Sequence, residues 1–323
     1  MSHTLFSFGI MGAGNIVGKF CDAVNRIPNC VVAAVSSKSM ERAQTCARQN
    51  HIPAAYDSYE EMLQKERLDA VYIATTPNYH CEQILLCLEH RIPVLCEKAM
   101  VLNRREAERV FGKARETNTF VMEAMWSRFL PTLNKAKEWM NRDEIGSLQF
   151  AQIAIGFAAP EDPQNRYYNF ALGGGAAFDI TVYGYEILTY LVDEPVRELH
   201  PQTIWAKTGV DKNCTVSVRF SHCLGLITVS LATSCLEEQA ALIGTKGKII
   251  LPHCHYGQDA FLYDNEGRLK EHFTDNTPNG FVFEIEEVMR CVQTGKIESR
   301  IAPHQMTLDC ASVFDQIYQD RNR

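Results

Sequence analysis

The run Gly9-Ile10-Met11-Gly12-Ala13-Gly14-Asn15-Ile16-Val17-Gly18 constrains this chain of 323 residues more than any other segment. It closes a short apolar stretch, Leu5 to Met11. It opens a segment, Asn15 to Ile27, in which Ile16, Phe20, Ala23 and Val24 share one helical face. In the pattern G-x-G-x-x-G the first glycine permits a tight turn and the second lets backbone approach a pyrophosphate. The helix N-terminus then stabilises that anion. Gly12 and Gly14 occupy those two places, and Asn15 and Ile16 stand beside them at the helix start. Val17 holds the third place, with Gly18 after it. The strand–turn–helix context is what separates a dinucleotide-binding turn from an ordinary glycine turn.

The rhythm of the next hundred residues fits that context. Cys30 to Val35 reads as a second buried strand. Ser39 caps a helix running to about Gln49, with Glu41 in its first turn. Asp69 to Ala74, Pro93 to Cys96 and Phe120 to Met122 read as strands; His80 to His90 and Arg104 to Glu116 read as helices. Such alternation predicts a parallel sheet covered on both faces. After Glu123 the pattern changes. Leu133 to Asn141 is helical, Leu148 to Phe157 alternates like a strand, and Gly173-Gly174-Gly175 precedes a helix from about Ala176 to Leu191. Short strand-like stretches follow between Thr203 and Tyr263, set off by turns such as Gly244-Thr245-Lys246-Gly247. Two helices, about Gly280 to Thr294 and Pro303 to Asp320, end the chain. The predicted class is α/β, with a doubly wound dinucleotide-binding domain over residues 1–123. An α+β domain with a mostly antiparallel sheet is predicted over residues 124–323.

Composition narrows the partners. Apolar residues make up 46% and charged residues 22%, as in an ordinary globular chain. A net charge of −7 speaks against duplex nucleic acid, though not against a local basic pocket for a phosphate. The apolar stretch from Cys223 to Leu236 falls short of the roughly 20 residues of a spanning helix. Met1 to Phe8 lacks the basic region and apolar core of a signal peptide. The 12 cysteines form no C-x-x-C pair, which favours reduced thiols and a cytoplasmic location. His253-Cys254-His255 is the only dense cluster of soft ligands. Neighbours on a strand point to opposite faces, so no metal site is expected there.

The cofactor's identity turns on one loop. An NAD enzyme places an acidic residue after the second strand, for the ribose 2′-hydroxyl. This chain has Ser36-Ser37-Lys38 there, with Arg42 one turn later. Hydroxyls and cations suit a 2′-phosphate. NADP is expected, with NAD as the alternative.

Further segments carry a family resemblance. Thr75-Thr76-Pro77-Asn78-Tyr79-His80 follows the third strong strand, and Cys96-Glu97-Lys98-Ala99 follows the next. Leu172-Gly173-Gly174-Gly175-Ala176-Ala177-Phe178-Asp179-Ile180-Thr181-Val182-Tyr183 opens the long helix of the second half. With the glycine turn, these resemble the Gfo/Idh/MocA oxidoreductase family, over nearly the whole chain. Glu123-Ala124-Met125-Trp126-Ser127-Arg128-Phe129-Leu130-Pro131 is similar to the branch containing dimeric dihydrodiol dehydrogenase. The resemblance implies a Rossmann domain followed by an open-faced sheet domain. It implies cofactor contacts from Thr76, Pro77, Asn78, His80, Glu97 and Lys98, and a homodimer formed through the second sheet. Ala99 replaces the family's usual proline, and Tyr183 stands where many members have histidine.

Elementary chemistry assigns roles to the same residues. Lys98 lies beyond the C-terminal end of a parallel strand, the edge where open α/β sheets bind ligands. A lysine there polarises a substrate oxygen, and a cation eases proton exchange by a neighbouring tyrosine. Asp179 and Tyr183 are four apart on a helix and share a face. The expected catalytic set is Lys98, Asp179 and Tyr183. Each has a plainer reading as well: a surface cation, a helix-start carboxylate, a core tyrosine. Arg166 and Tyr168, ahead of the triple glycine, either line a sugar or diol pocket or belong to a capped surface loop. Arg128 braces the junction or the cofactor. The expected activity is hydride transfer between NADP and a secondary alcohol or hemiacetal carbon of a sugar, polyol or cyclic diol. The alternatives are a reductase of another carbonyl and a non-catalytic NADP-binding regulator.

Overall fold

The computed structural model describes residues 5–319 and 321. Its first strands are near-continuous apolar runs, the signature of strands buried on both faces: β1 (Phe6–Met11), β2 (Cys30–Ser36), β4 (Ala70–Ile73), β5 (Val94–Glu97) and β6 (Val121–Ala124). With the short β3 (Ala54–Tyr56) they form one parallel sheet in the order β3-β2-β1-β4-β5-β6. That is the Rossmann order, in which the direction of succession reverses between β1 and β4. The helices are α1 (Ile16–Val24), α2 (Met40–Asn50), α3 (Tyr59–Lys65), α4 (Pro77–Glu89) and α5 (Arg104–Thr117). Side-chain oxygens of Ser39, Ser58 and Asn103 cap α2, α3 and α5. Helix α4 begins at Pro77, three residues before the predicted start, because proline suits the first helical turn.

The second sheet has eight strands in the order β14-β13-β12-β11-β7-β10-β9-β8. They are β7 (Leu148–Gly156), β8 (Glu198–Trp205), β9 (Asp211–Arg219), β10 (Leu224–Ser230), β11 (Gln239–Gly244), β12 (Gly247–Pro252), β13 (Asp259–Asp264) and β14 (Leu269–Thr274). Only the β7–β10 pair is parallel. Residues alternate between covered and open along β8, β9 and β10, as in a sheet with one face on a core. Helices α6 (Pro131–Asn141) and α7 (Val182–Val192) pack on this sheet. The open side leaves Phe150, Leu224 and Leu226 exposed.

Packing divides the chain into two units: Met1–Trp126 with Asn279–Leu308, and Ser127–Pro278 with Asp309–Arg323. Residues 279–308, which a reading in chain order assigns to the second domain, group with the first. They carry α8 (Phe281–Gln293), which packs on α1, and the start of α9 (His304–Gln319). The predicted last residue of that helix, Asp320, lies outside the described residues, as do residues 1–4. Among the described residues no helix is long and apolar enough to cross a membrane. Arg128 belongs to the second unit's core, where its guanidinium pairs with the fully buried Glu186 at 2.9 Å. It also donates to the Glu186 carbonyl and to Thr189 Oγ1, both at 3.1 Å.

Candidate active site

In the first unit the turn after β1 is shaped by Gly12. Its φ is +108°, and a β-carbon there would stand 2.7 Å from the Ala74 carbonyl oxygen. Only glycine fits on both counts. Its amide donates to the Ser36 carbonyl at 2.8 Å. Gly14 is under no such pressure, since an added β-carbon would make ordinary contact with Ala74 at 3.5 Å. Helix α1 starts at Ile16, and no side chain caps it at Asn15. A bare helix N-terminus beside a turn that excludes side chains fits a pyrophosphate. A cleft of about 580 Å³ adjoins it, lined by Ala13, Gly14, Asn15, Glu41 and Arg42 among others. Arg42 Nη2 donates to the Ala13 carbonyl at 3.4 Å. Lys38 is exposed, with its ammonium 4.1 Å from the centre of the Tyr79 ring. Ser37 is 6% exposed and Ser36 fully buried, so of the predicted pair Ser36 meets the turn through its backbone carbonyl.

The C-terminal ends of β4 and β5 carry the next group. Thr76, Pro77 and Asn78 are half-buried at the start of α4, and the Thr76 hydroxyl donates to Asn78 Oδ1 at 2.7 Å. His80, predicted as a cofactor contact, is completely buried. Its Nδ1 lies 2.9 Å from the Ala99 carbonyl and its Nε2 3.1 Å from the Thr75 carbonyl. Burial holds its pKa down to about 4, against the pull of those two carbonyls. The ring therefore holds the backbone turn after Lys98 and does not reach outward. Glu123 holds the same turn from another side. Its carboxylate accepts from the Met100 amide at 2.8 Å and from the Thr307 hydroxyl at 2.7 Å. Lys98 itself is half-buried at the end of β5. The neighbouring Glu97 accepts a hydrogen bond from the Tyr72 hydroxyl. Desolvation raises the Glu97 pKa, and Tyr72, Lys98 and Lys19 oppose that rise.

Two residues that sequence reasoning passed over, Lys19 and Glu284, interact electrostatically with Glu97 in this unit. Lys19 places its ammonium 3.9 Å from the centre of the Trp126 ring and 4.7 Å from that of Phe281. Desolvation lowers its pKa, while Glu284 and Glu97 raise it. Glu284 is fully buried and neither carboxylate oxygen has a hydrogen-bond partner. Burial, and then Glu97, push its pKa well above the carboxylate range, with Lys19 opposing. The signal was available: Phe281, Glu284, Ile285 and Val288 form one buried stripe of α8, and a glutamate interrupts it.

In the second unit the triple glycine leads into a π-helical turn, Ala177–Thr181, and then into α7. Asp179 therefore sits in the wider π turn and Tyr183 in the first turn of α7, where a uniform α-helix was predicted. Such π turns recur at functional sites. Asp211 anchors this segment. Its carboxylate accepts from the Ala177 amide at 2.6 Å and from the Tyr318 hydroxyl at 2.9 Å. Gly175, at φ +126°, lies so close that a β-carbon would meet Asp211 Oδ1 at 2.2 Å. Arg166 is exposed and brings its guanidinium to Asp179 Oδ1 at 3.4 Å. Tyr168, the other tentative substrate residue, is 1% exposed and donates its hydroxyl to the Leu231 carbonyl at 3.1 Å. It is spent on the protein's own core. Tyr183 is 7% exposed, and its ring lies 4.7 Å from that of His255, centre to centre. Cys254 is buried, and among the described residues no three His, Cys, Asp or Glu side chains converge as metal ligands.

Residues 6–125 match the oxidoreductase family described by its NAD-binding Rossmann fold, and residues 133–250 match the Gfo/Idh/MocA C-terminal domain. The chain is 30% identical to trans-1,2-dihydrobenzene-1,2-diol dehydrogenase of Danio rerio, over 96% of this chain and 95% of that one. In three dimensions it is similar to an aldose–aldose oxidoreductase of Caulobacter crescentus complexed with glycerol. The TM-score is 0.87 at 19% identity, covering 98% and 97% of the two chains. It is also similar to a 3-ketoreductase of Actinomadura kijaniata in complex with NADP and TDP-benzene. There the TM-score is 0.86 at 20% identity, covering 97% of each chain.

Asp211 supplies a pH test of this geometry. Desolvation lifts its pKa to about 7, although Tyr318 and Ala177 donate to it. A folded pKa above the unfolded value means stability that is full below about pH 4 and lost as pH rises through about 7. The melting temperature is expected to fall between pH 6 and pH 8, and Asp211→Asn is expected to flatten that fall. An unchanged slope in the variant counts against the assignment.

Proposed function

The chain belongs to the Gfo/Idh/MocA oxidoreductase family, and from that premise we propose that it transfers a hydride between NADP and a secondary alcohol or hemiacetal carbon of a sugar, polyol or cyclic diol. The observation that carries this reading is the anchored π turn of the second unit, which holds Asp179 one helical turn ahead of Tyr183; in the first unit, taken by itself, Lys98 stands at a strand's C-terminal end. Relatives of this chain act on diols, and similar folds serve sugars, which supports the substrate class.

Gly12, Gly14, Asn15 and Ile16 would receive the pyrophosphate; Ser37, Lys38 and Arg42 the 2′-phosphate; Thr76, Pro77, Asn78 and Glu97 the ribose and nicotinamide end. The nicotinamide, when bound, supplies the hydride acceptor or donor. The protein's part is to orient the alcohol and move its proton. Lys98 polarises the reacting oxygen, Tyr183 takes or returns the hydroxyl proton, and Asp179, steadied by Arg166, orients the substrate or the tyrosine. Tyr183→Phe and Lys98→Ala are each expected to lower kcat by about 10²- to 10⁴-fold while nucleotide affinity, read by fluorescence titration, holds. Full turnover in either variant overturns the assignment.

The NADP preference rests on Lys38 and Arg42, with Glu41 lining the same cleft as Arg42. Lys38→Ala is expected to weaken NADP about tenfold more than NAD, the cost of one charge-assisted contact. Equal losses for both nucleotides contradict the 2′-phosphate role.

Two further proposals concern its setting. The open sheet face, with Phe150 46%, Leu224 50% and Leu226 40% exposed, fits a second copy of the chain. Leu226→Glu is then expected to elute as a monomer where the unaltered protein elutes as a dimer; a monomeric unaltered protein refutes this. All 12 cysteines are free thiols, which supports a reducing, cytoplasmic setting.

A further inference from the structure

A second acid–base pair adjoins Tyr183, built from Glu238, just before β11, and from the loop that follows β12. His253 is held at φ +48°, an uncommon conformation for a residue with a β-carbon. Its amide donates to the Glu238 carbonyl at 2.9 Å, and its own carbonyl accepts from Tyr256 and Gly257 at 2.8 and 2.5 Å. A β-carbon at Gly257 would stand 2.1 Å from the Pro252 carbonyl oxygen. The loop is thus tied to the strand that follows Glu238, and that fixes where the two histidines point.

The side chains then form an ordered set. His255 Nδ1 lies 2.5 Å from Glu238 Oε1, with the two side chains 20% and 12% exposed. Neither atom meets the angles of a hydrogen bond or finds another partner, so the carboxylate lies against the imidazole without being bonded to it. His253 Nδ1 lies 4.0 Å from Glu238 Oε2, and its side chain is 59% exposed. The Tyr256 hydroxyl stands 3.1 Å from that same nitrogen, and its ring meets His255 edge-on. On the other side the His255 ring packs against Tyr183, which is 7% exposed. Exposure rises step by step from the buried phenol, through an imidazole backed by a carboxylate, to an imidazole in solvent.

We propose that His255, backed by Glu238, carries the reaction's proton between Tyr183 and solvent. The proposal rests on the reading of Tyr183 as the group that takes the substrate's proton. In the oxidising direction Tyr183 gains that proton at its oxygen and, being buried, must lose it before the next turnover. The phenolic O–H bond breaks with its electron pair staying on oxygen, and an N–H bond forms on His255, directly or through one water. The Glu238 carboxylate balances the imidazolium charge. The imidazolium N–H then breaks to water at the open edge of the ring or through His253. One proton leaves per turnover and both side chains return to their starting state; reduction runs the steps in reverse.

The experiment compares the unaltered protein with His255→Gln, His255→Ala and Glu238→Gln in dilute buffer, using a sugar or diol that the unaltered protein oxidises. His255→Gln is expected to lower kcat by about 10- to 100-fold with KM little changed, and Glu238→Gln by less. Nucleotide titration and melting temperature establish that each variant is folded. Added imidazole is expected to restore turnover in His255→Ala and to leave the unaltered protein unchanged; a merely structural role gives no such rescue. If His255→Ala does not fold, the dependence of His255→Gln turnover on buffer concentration carries the same test. Unaltered kcat in His255→Gln, or a loss indifferent to imidazole and buffer, overturns the relay and leaves the assignment of Tyr183 standing. No oxidation of any sugar or diol by the unaltered protein takes down both.

Discussion

A β-carbon at residue 12 would stand 2.7 Å from the Ala74 carbonyl oxygen, and the rest of the nucleotide end depends on that missing space. The Gly12 amide also bonds to Ser36 at the end of β2, while Ala74 follows β4. One glycine therefore ties together the C-terminal ends of three adjacent strands. It does so where the strand order reverses, the place at which open parallel sheets offer a crevice. Helix α1 starts four residues later without a side-chain cap, so the helix end proposed to receive the pyrophosphate follows from the same turn. Lys38 and Arg42 enter only because β2 ends alongside it.

Buried acids recur behind the positions assigned to chemistry. Glu123 holds the turn after Lys98 by accepting from the Met100 amide. Glu284 and Glu97 share a neighbourhood with Lys19, which feels both their charges. Asp211 holds the π turn that carries Asp179. In each case a carboxylate that costs desolvation fixes backbone or charge next to a side chain whose placement matters. At Glu97, Asp211 and Glu284 burial is the first cause that raises the carboxyl pKa.

How much of this could be read from the chain alone depended on whether the signal was local. The glycine turn, the Ser39 cap and the apolar runs of β1, β4 and β5 declare themselves within a few residues. Two edge strands, β3 and β14, did not: Ala54–Tyr56 is three residues long, and Leu269–Thr274 is polar and mostly open. The motif carrying His80 was legible, but its burial was not, since burial arises from the turn around Ala99 that packs over it. The burial of Tyr168 was hidden for the same reason, because its partner Leu231 lies far along the chain. The contact between His255 and Tyr183 joins residues brought close only by the second sheet and its helix. The return of residues 279–308 to the first unit likewise has no local mark, although Glu284 in an apolar stripe pointed to something unusual there.

The most direct test of the central claim is steady-state reduction of NADP and of NAD by the purified protein, followed by nicotinamide absorbance. D-xylose, D-glucose, myo-inositol and a trans-dihydrodiol form the substrate panel. Turnover with NADP and at least one sugar or diol, faster than with NAD, is the predicted result. Tight NADP binding with no turnover across the panel would contradict an alcohol oxidoreductase and leave a chain that holds its nucleotide without transferring hydride.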